Sequence, residues 1–335
     1  MVSENGSMIS TLYLTPDKQI QTNLTTDDLL KAVQESDGIL WVDMDRQPLD
    51  SCEPILKDLF GFHPLAVDDA LRQRHVPKVD DWGDYIFLVF YAILYQSSDE
   101  EPIITQEVNV FLGKHFLVTY HKQQISSIEN VWETCQRDTR SLSKGAAHLL
   151  YQLLDELIAN YMTVVDDISE EIDLIEDQVF SNPQQETLER IFALKRNLNR
   201  LRRLLVPQRE VLYKLSRVDF QVIEAEFSVF FRDVYDHIVR LNDIIDSLRD
   251  LAGSALDMYL SVVNNRMNEV MKTLTIITTL FMPLAFITGF FGMNFFQATS
   301  PLEVWTGQLA LAITIMLIVL VPVGMYLWMR RRAWM

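Results

Sequence analysis

From Thr273 to Leu302 the sequence carries no charged residue, and from Leu309 to Met329 it carries none again. About 20 apolar residues in a helix, rising about 1.5 Å each, cover the hydrocarbon core of a bilayer, so both runs predict membrane spans. Two buried helices of a soluble core would keep charge on one face, and neither run does. Lys and Arg set the orientation. Arg266 and Lys272 precede the first run, Arg330-Arg331-Arg332 follow the second, and the connection between them holds neither residue type. The positive-inside rule then predicts both termini in the cytoplasm and the connection outside, with Trp305 and Trp328 near span ends. The polar, acidic start Met1-Val2-Ser3-Glu4-Asn5 predicts no cleaved signal peptide.

The remainder is long enough for a sizeable soluble body, and acidic. Of 335 residues, 46 are Asp or Glu against 29 Lys or Arg, for a net charge of −17. Beyond residue 272 the charged residues are Glu303 and the three arginines, so the deficit belongs to the soluble part. Such a surface excludes nucleic acid as a partner, since phosphates need Lys and Arg, and it suits a body that gathers cations. Cys52 and Cys135 form no CxxC pair, which fits a reducing compartment. His63, His75, His115, His121, His148 and His237 make no HExxH motif, and there is no Walker or GxGxxG sequence. Neither an enzyme nor a resident cofactor is expected.

Residues 1–145 read as a cytoplasmic α/β domain. Ile39–Val42 and Tyr85–Tyr91 are apolar, β-rich runs. Glu107–Leu112 and His115–Tyr120 flank Gly113-Lys114 and predict a hairpin with a Gly-led turn. Asp50 to Gln73 has helical spacing, which Pro64 divides into two helices. Residues 146–220 predict a helical hairpin: an acidic helix from Ala146 to Phe180, a break at Ser181-Asn182-Pro183, then a basic helix from Gln184 to Arg217, with facing charges. A third helix, expected from about Gln221 and unbroken to Gly292, on the order of 100 Å long, supplies a stalk over 221–272 and a first span over 273–293. A loop over 294–308, a second span over 309–329 and a basic tail over 330–335 complete the chain.

The third helix carries a pattern at seven-residue spacing. Asp257, Asn264, Met271, Thr278, Ala285 and Gly292 form one line; Ser261, Asn268, Thr275, Met282 and Gly289 form the interleaved one. Such a seam lets parallel helices pack around a common axis, and its contents are small, polar or Met. Close helix packing explains small residues as readily as a pore does. The outer end favours the pore. Gly289 and Gly292 bare backbone there, and Asn294 offers an amide oxygen where the span meets external water. Neutral oxygens contacting the water shell of Mg²⁺ would attract an ion that dehydrates reluctantly, without trapping it.

At these residues the sequence resembles the CorA family of magnesium transporters. The resemblance rests on Gly292-Met293-Asn294 and extends through Tyr259-Leu260-Ser261, Asn268-Glu269-Val270-Met271-Lys272 and Phe281-Met282-Pro283-Leu284. It implies a homopentamer in the plasma (inner) membrane, with first-span helices around the pore and Gly292 and Asn294 forming the selectivity ring. It implies pore and gate roles for Asn268, Met271, Leu274 and Met282, with Asp257 at the cytoplasmic entrance; Leu274 lies off the heptad lines. It further implies that Mg²⁺ is both substrate and regulator, closing the channel when bound between subunits. The matching acids are Asp233 and Asp84, with Asp80 or Asp81 able to replace Asp84. Three positions depart from the family pattern. Phe291 stands where Tyr is usual, Ala285 where a hydroxyl residue can occur, and the external loop has Glu303 as its one acid. A carrier of Zn²⁺, Co²⁺ or Ni²⁺ is the competing reading, and a membrane-tethered sensor or scaffold a second one. The absence of His and Cys beyond His237 favours a hard ion.

Overall fold

The computed structural model describes residues 8–35, 37–72, 75–95, 103–217, 220–292 and 308–331. The chain divides into two compact units, Met1–Asp257 and Met258–Met335.

The first unit is built on a seven-stranded sheet. Strands β1 (Met8–Leu14), β2 (Ile20–Thr22), β3 (Ile39–Asp45), β4 (Lys78–Asp81), β5 (Tyr85–Tyr95), β6 (Ile103–Gly113) and β7 (Phe116–His121) lie in the order β2-β1-β3-β7-β6-β5-β4. Only β3 and β7 run parallel. Continuous apolar runs such as Ile86 to Phe90 mark a sheet covered on both faces. On one face lie α1 (Thr26–Gln34), α2 (Leu49–Pro54), which continues as a π turn over Ile55–Leu59, and α3 (Pro64–Arg72). Pro64 opens α3, as expected of a residue with no N–H to lose there. Leu29, Cys52, Leu56, Val67 and Leu71 of these helices share one apolar cluster with Val42, Phe87, Phe111 and Val118 of the sheet. The hairpin forms one residue later than its sequence suggests. Gly113 stays in β6 and Lys114-His115 make the turn. A Cβ on Gly113 would stand 2.4 Å from the Phe116 ring, so glycine serves close approach there, not turn geometry.

On the opposite face lie α4 (Ser126–Arg137), the short α5 (Thr139–Leu142) and two long helices, α6 (Ala146–Ser181) and α7 (Gln185–Leu215). Trp132 of α4 packs on Trp41 with ring centroids 4.8 Å apart. Cys135 is buried beneath α4 as Cys52 is within α2. Where β4 ends opposite Val89, the edge of β5 is closed by side chains. The Tyr91 N–H donates to Gln208 Oε1 at 3.1 Å, its carbonyl accepts from the Tyr161 hydroxyl at 3.0 Å, and Gln208 Nε2 donates to that hydroxyl at 2.8 Å. One tyrosine and one glutamine thus satisfy backbone groups of Tyr91 at a buried strand edge.

At the ends of the parallel strands His121 is buried against two aspartates. Its Nε2 lies 3.1 Å from Asp43 Oδ1, and its Nδ1 lies 2.6 Å from the Gln123 carbonyl and 3.5 Å from Asp45 Oδ1. Both nitrogens face acceptors, so the ring sits as an imidazolium. Burial opposes the charge, yet the Asp43 hydrogen bond and charge, with Gln123 and Asp45, outweigh it and hold the pKa above the ordinary value. A folded pKa above the unfolded one adds stability that is full below about pH 6.5 and fades as pH rises through the folded pKa. His121→Ala is expected to cost about 3–5 kcal/mol at pH 6 and progressively less at alkaline pH. Thermal unfolding across that range checks this; a pH-independent difference would contradict it.

The α6–α7 pair is antiparallel, as its sequence predicts, but charge is not what faces across it. Buried stripes do: Val165, Ile168, Ile172, Ile175 and Val179 on α6, and Ile191, Leu194, Leu198, Leu201 and Leu205 on α7. Arg190 reaches Glu171 at 3.5 Å, while Arg202 turns to Asp246 of the next helix at 3.0 Å. Ionic pairs settle at rims because burying them costs more than burying leucine. That next helix, α8, spans Ser228–Gly292. It starts seven residues beyond the expected Gln221, because Phe220, Val222, Ile223 and Phe227 are buried in a turn that closes with a 3₁₀ element at Ala225–Phe227. Gly253 and Pro283 leave it unbroken, all 65 residues.

The second unit holds the rest of α8 and α9 (Gln308–Arg331). These are the two helices, among the described residues, long and apolar enough to cross a membrane.

Candidate functional site

Helix α8 places its two faces differently. In the span, Ile276, Thr279, Leu280, Pro283, Leu284 and Ile287 are partly covered, and on α9 so are Thr314, Ile318, Val321, Pro322, Met325 and Met329. Each set repeats at three and four residues, the spacing of one helix face. Met329 is almost fully buried and lines a cleft with Lys272, Thr275, Ile276 and Thr279. The heptad lines lie elsewhere. Asn264, Asn268, Met271, Thr278, Met282, Ala285 and Gly289 are exposed. At about 100° per residue their mean direction is roughly 150° from that of the covered set. Leu274, off those lines, is exposed too, one turn from Thr278, so the exposed face is wide enough to contain it.

The chemistry of this face is that of an acceptor surface. Thr275 and Thr278 donate their hydroxyl protons to the carbonyls of Met271 and Leu274, both at 2.8 Å. Each then has only oxygen lone pairs left to offer. A Cβ on Gly289 would meet nothing within 4 Å among the described residues, so none of them requires glycine there. Gly292 ends α8. Met293, Asn294 and the loop acid Glu303 lie outside the described residues. At the other end, Asp257 is exposed and borders a cleft with Lys195, Asn199, Arg249, Asp250 and Ser254. The entrance acid therefore has basic neighbours that the sequence did not place beside it.

Asp84 and Asp233, the acids expected to bind a regulatory cation, are exposed and set in different parts of the fold. Asp84 follows the β4–β5 turn, where Gly83 has φ +84° and donates its N–H to Asp81 Oδ1 at 2.9 Å. Asp80 pairs with Lys78 at 2.7 Å. Of the three candidates, Asp84 is the one whose carboxylate makes no hydrogen bond or ion pair among the described residues. Asp233 lies one turn before His237 on α8, and His237 Nδ1 stands 3.5 Å from Asp155 Oδ1 of α6. Burial raises the Asp155 pKa; the nearby Asp233 charge raises it further, and His237 opposes both. The same two carboxylates, after burial, raise the Tyr151 hydroxyl. Asp155 falls within the acidic helix that the sequence predicts, and no local signal could pair it with α8. Among the described residues no three His, Cys, Asp or Glu side chains come together as a metal would need.

Comparison with known proteins agrees with this layout. A family described as "CorA-like Mg2+ transporter protein" matches residues 36–331. The chain is similar to the protein named "Putative metal ion transporter YfjQ" of Bacillus subtilis, with 32% identity over 98% of both chains. It is 39% identical to the cobalt/magnesium transport protein CorA of Thermotoga maritima over 71% of this chain and 68% of that one. The complete CorA magnesium transporter structure from Methanocaldococcus jannaschii superimposes with a TM-score of 0.81 at 22% identity, covering 98% of this chain and 99% of that one.

Proposed function

Because the chain belongs to the family of CorA-like Mg²⁺ transporter proteins and is a divalent-cation transporter of the membrane, we propose that it is a channel for hydrated Mg²⁺, entering down the membrane potential and closed by Mg²⁺ on the cytoplasmic side. The observation that carries the reading is the seam face of α8, exposed and directed away from α9, with the Thr278 lone pairs outward. One such face cannot enclose water. Several copies, five by the family's pattern, would turn their faces to a common axis with Gly292 and Asn294 at the outer mouth and both termini inside.

Neutral oxygens suit this ion. Mg²⁺ holds its water shell tightly, and conduction needs binding weak enough to release. Two charges moving through about 100 mV gain roughly 4.6 kcal/mol, so influx needs no coupled chemistry. Closure is assigned to Asp233 and Asp84 on neighbouring copies. A cation between them would relieve the repulsion that Asp155 and Asp233 exert on each other and would hold subunits together.

Purified protein in liposomes with an inside-negative potential tests the reading. Mg²⁺ entry reported by an internal indicator is expected. Entry of neither Mg²⁺ nor Zn²⁺ would remove the channel, and Zn²⁺ entry alone would reassign the ion.

A further inference from the structure

We infer that the Thr278 hydroxyl oxygen is the mid-span contact for the cation's water shell, a ring of acceptors supplied by a side chain about three helical turns inside Gly289. The inference rests on the channel reading above. Three observations carry it. First, the threonines of this stretch are not equivalent. Thr275 and Thr279 both border the cleft closed by Met329 of α9, whereas Thr278 is exposed and lies on the heptad line through Met271 and Ala285. Second, Thr278 is the exposed threonine most nearly opposite the covered set. At about 100° per residue it lies about 170° from that set's mean, against about 110° for Thr275 and Thr288, and the residues beside it, Met271, Leu274, Met282 and Ala285, carry no hydroxyl or amide. Third, the hydroxyl is polarised in a fixed sense. Its proton is donated to the Leu274 carbonyl at 2.8 Å, and its lone pairs are left outward. Waters bound to a divalent cation present hydrogens outward, so they need acceptors. A freely rotating hydroxyl could present its proton instead; one tied to its own helix presents oxygen, as a carbonyl would.

The geometry also separates this role from packing. Val has nearly the shape of Thr but no oxygen. A purely steric role would therefore survive Thr278→Val, while an acceptor role would not.

The test is Mg²⁺ influx into liposomes for wild type, Thr278→Val, Thr278→Ser and Thr279→Val, each compared at equal reconstituted protein. Influx in Thr278→Val is expected to fall about fivefold or more, the loss of one modest hydrogen bond on the path, with Thr278→Ser and Thr279→Val within about twofold of wild type. Thr278→Val transporting like wild type would overturn the inference, as would Thr278→Ser slowed equally or Thr279→Val slowed equally. Failure of wild type itself to transport would fall on the channel reading, not on Thr278 in particular.

Discussion

Asn294→Ala is expected to lower Mg²⁺ influx tenfold or more, with the protein still assembling in the membrane. Asn294 follows the last residue of α8 by two positions in the sequence. In the proposed channel its amide oxygen would take hydrogen bonds from water already polarised by a divalent ion. Bonds to charged partners contribute about 1.5–3 kcal/mol each, and about 1.4 kcal/mol corresponds to a factor of ten. Losing one such contact in every copy at the narrow end should dominate any loss elsewhere on the path. Asn294→Asp tests the complementary half of the argument. A carboxylate ring would hold the ion more tightly and slow its release, so influx should also fall while divalent affinity rises. Indicator influx and competition by external Mg²⁺ measure the two effects. Unchanged influx in Asn294→Ala would move the filter elsewhere, even with wild-type transport intact.

Asp233→Ala is expected to raise influx several-fold when the internal face holds millimolar Mg²⁺, and to change little when it holds none. The wild-type carboxylate stands near Asp155, whose proton affinity is raised by burial first and by Asp233 second. Two carboxylates crowding each other bind a cation more readily than either alone. Removing one lowers the benefit of cation binding and, by linkage, lowers the population of the state that the cation favours. Tracer influx into right-side-out vesicles loaded with graded Mg²⁺ measures it. A dose–response identical to wild type would exclude Asp233 from closure. Asp84→Ala should shift the same curve in the same direction, since a shared site fails when either partner is lost.

What the sequence disclosed follows from where its signals are local. Uncharged length gave the two spans, Pro183 gave the end of α6, and Pro64 gave the division between α2 and α3. The strands β5, β6 and β7 are dense in β-branched and aromatic residues. By contrast, β1 interrupts its apolar residues with Ser10-Thr11 and shows no two-residue alternation, β2 has three residues, and α4 has a polar exterior. Those elements are held by the pairing of β1 with β3 and the seating of Trp132 on Trp41, contacts between residues far apart in the chain. The start of α8 was misplaced because Phe220 to Phe227 has helical composition but is turned inward to cover the first unit. Seam residues were legible because they repeat along one helix. The direction of that seam relative to α9 was not, since it depends on which face α9 covers. The Asp155–His237 pair was not either, because it joins α6 to α8.

Cys52 and Cys135, the two cysteines of the chain, are both buried. Burial pushes each thiol up to about 12, with Asp138 adding to the shift at Cys135. Thiol reagents attack the thiolate, and at neutral pH neither sulfur supplies one. The natural protein is therefore almost silent to alkylation. A single cysteine introduced along α8 would be its one reactive sulfur, with no background to remove by further mutation. Charged alkylating reagents of graded width, added from either side of the bilayer, could then trace the diameter and sidedness of the water column position by position.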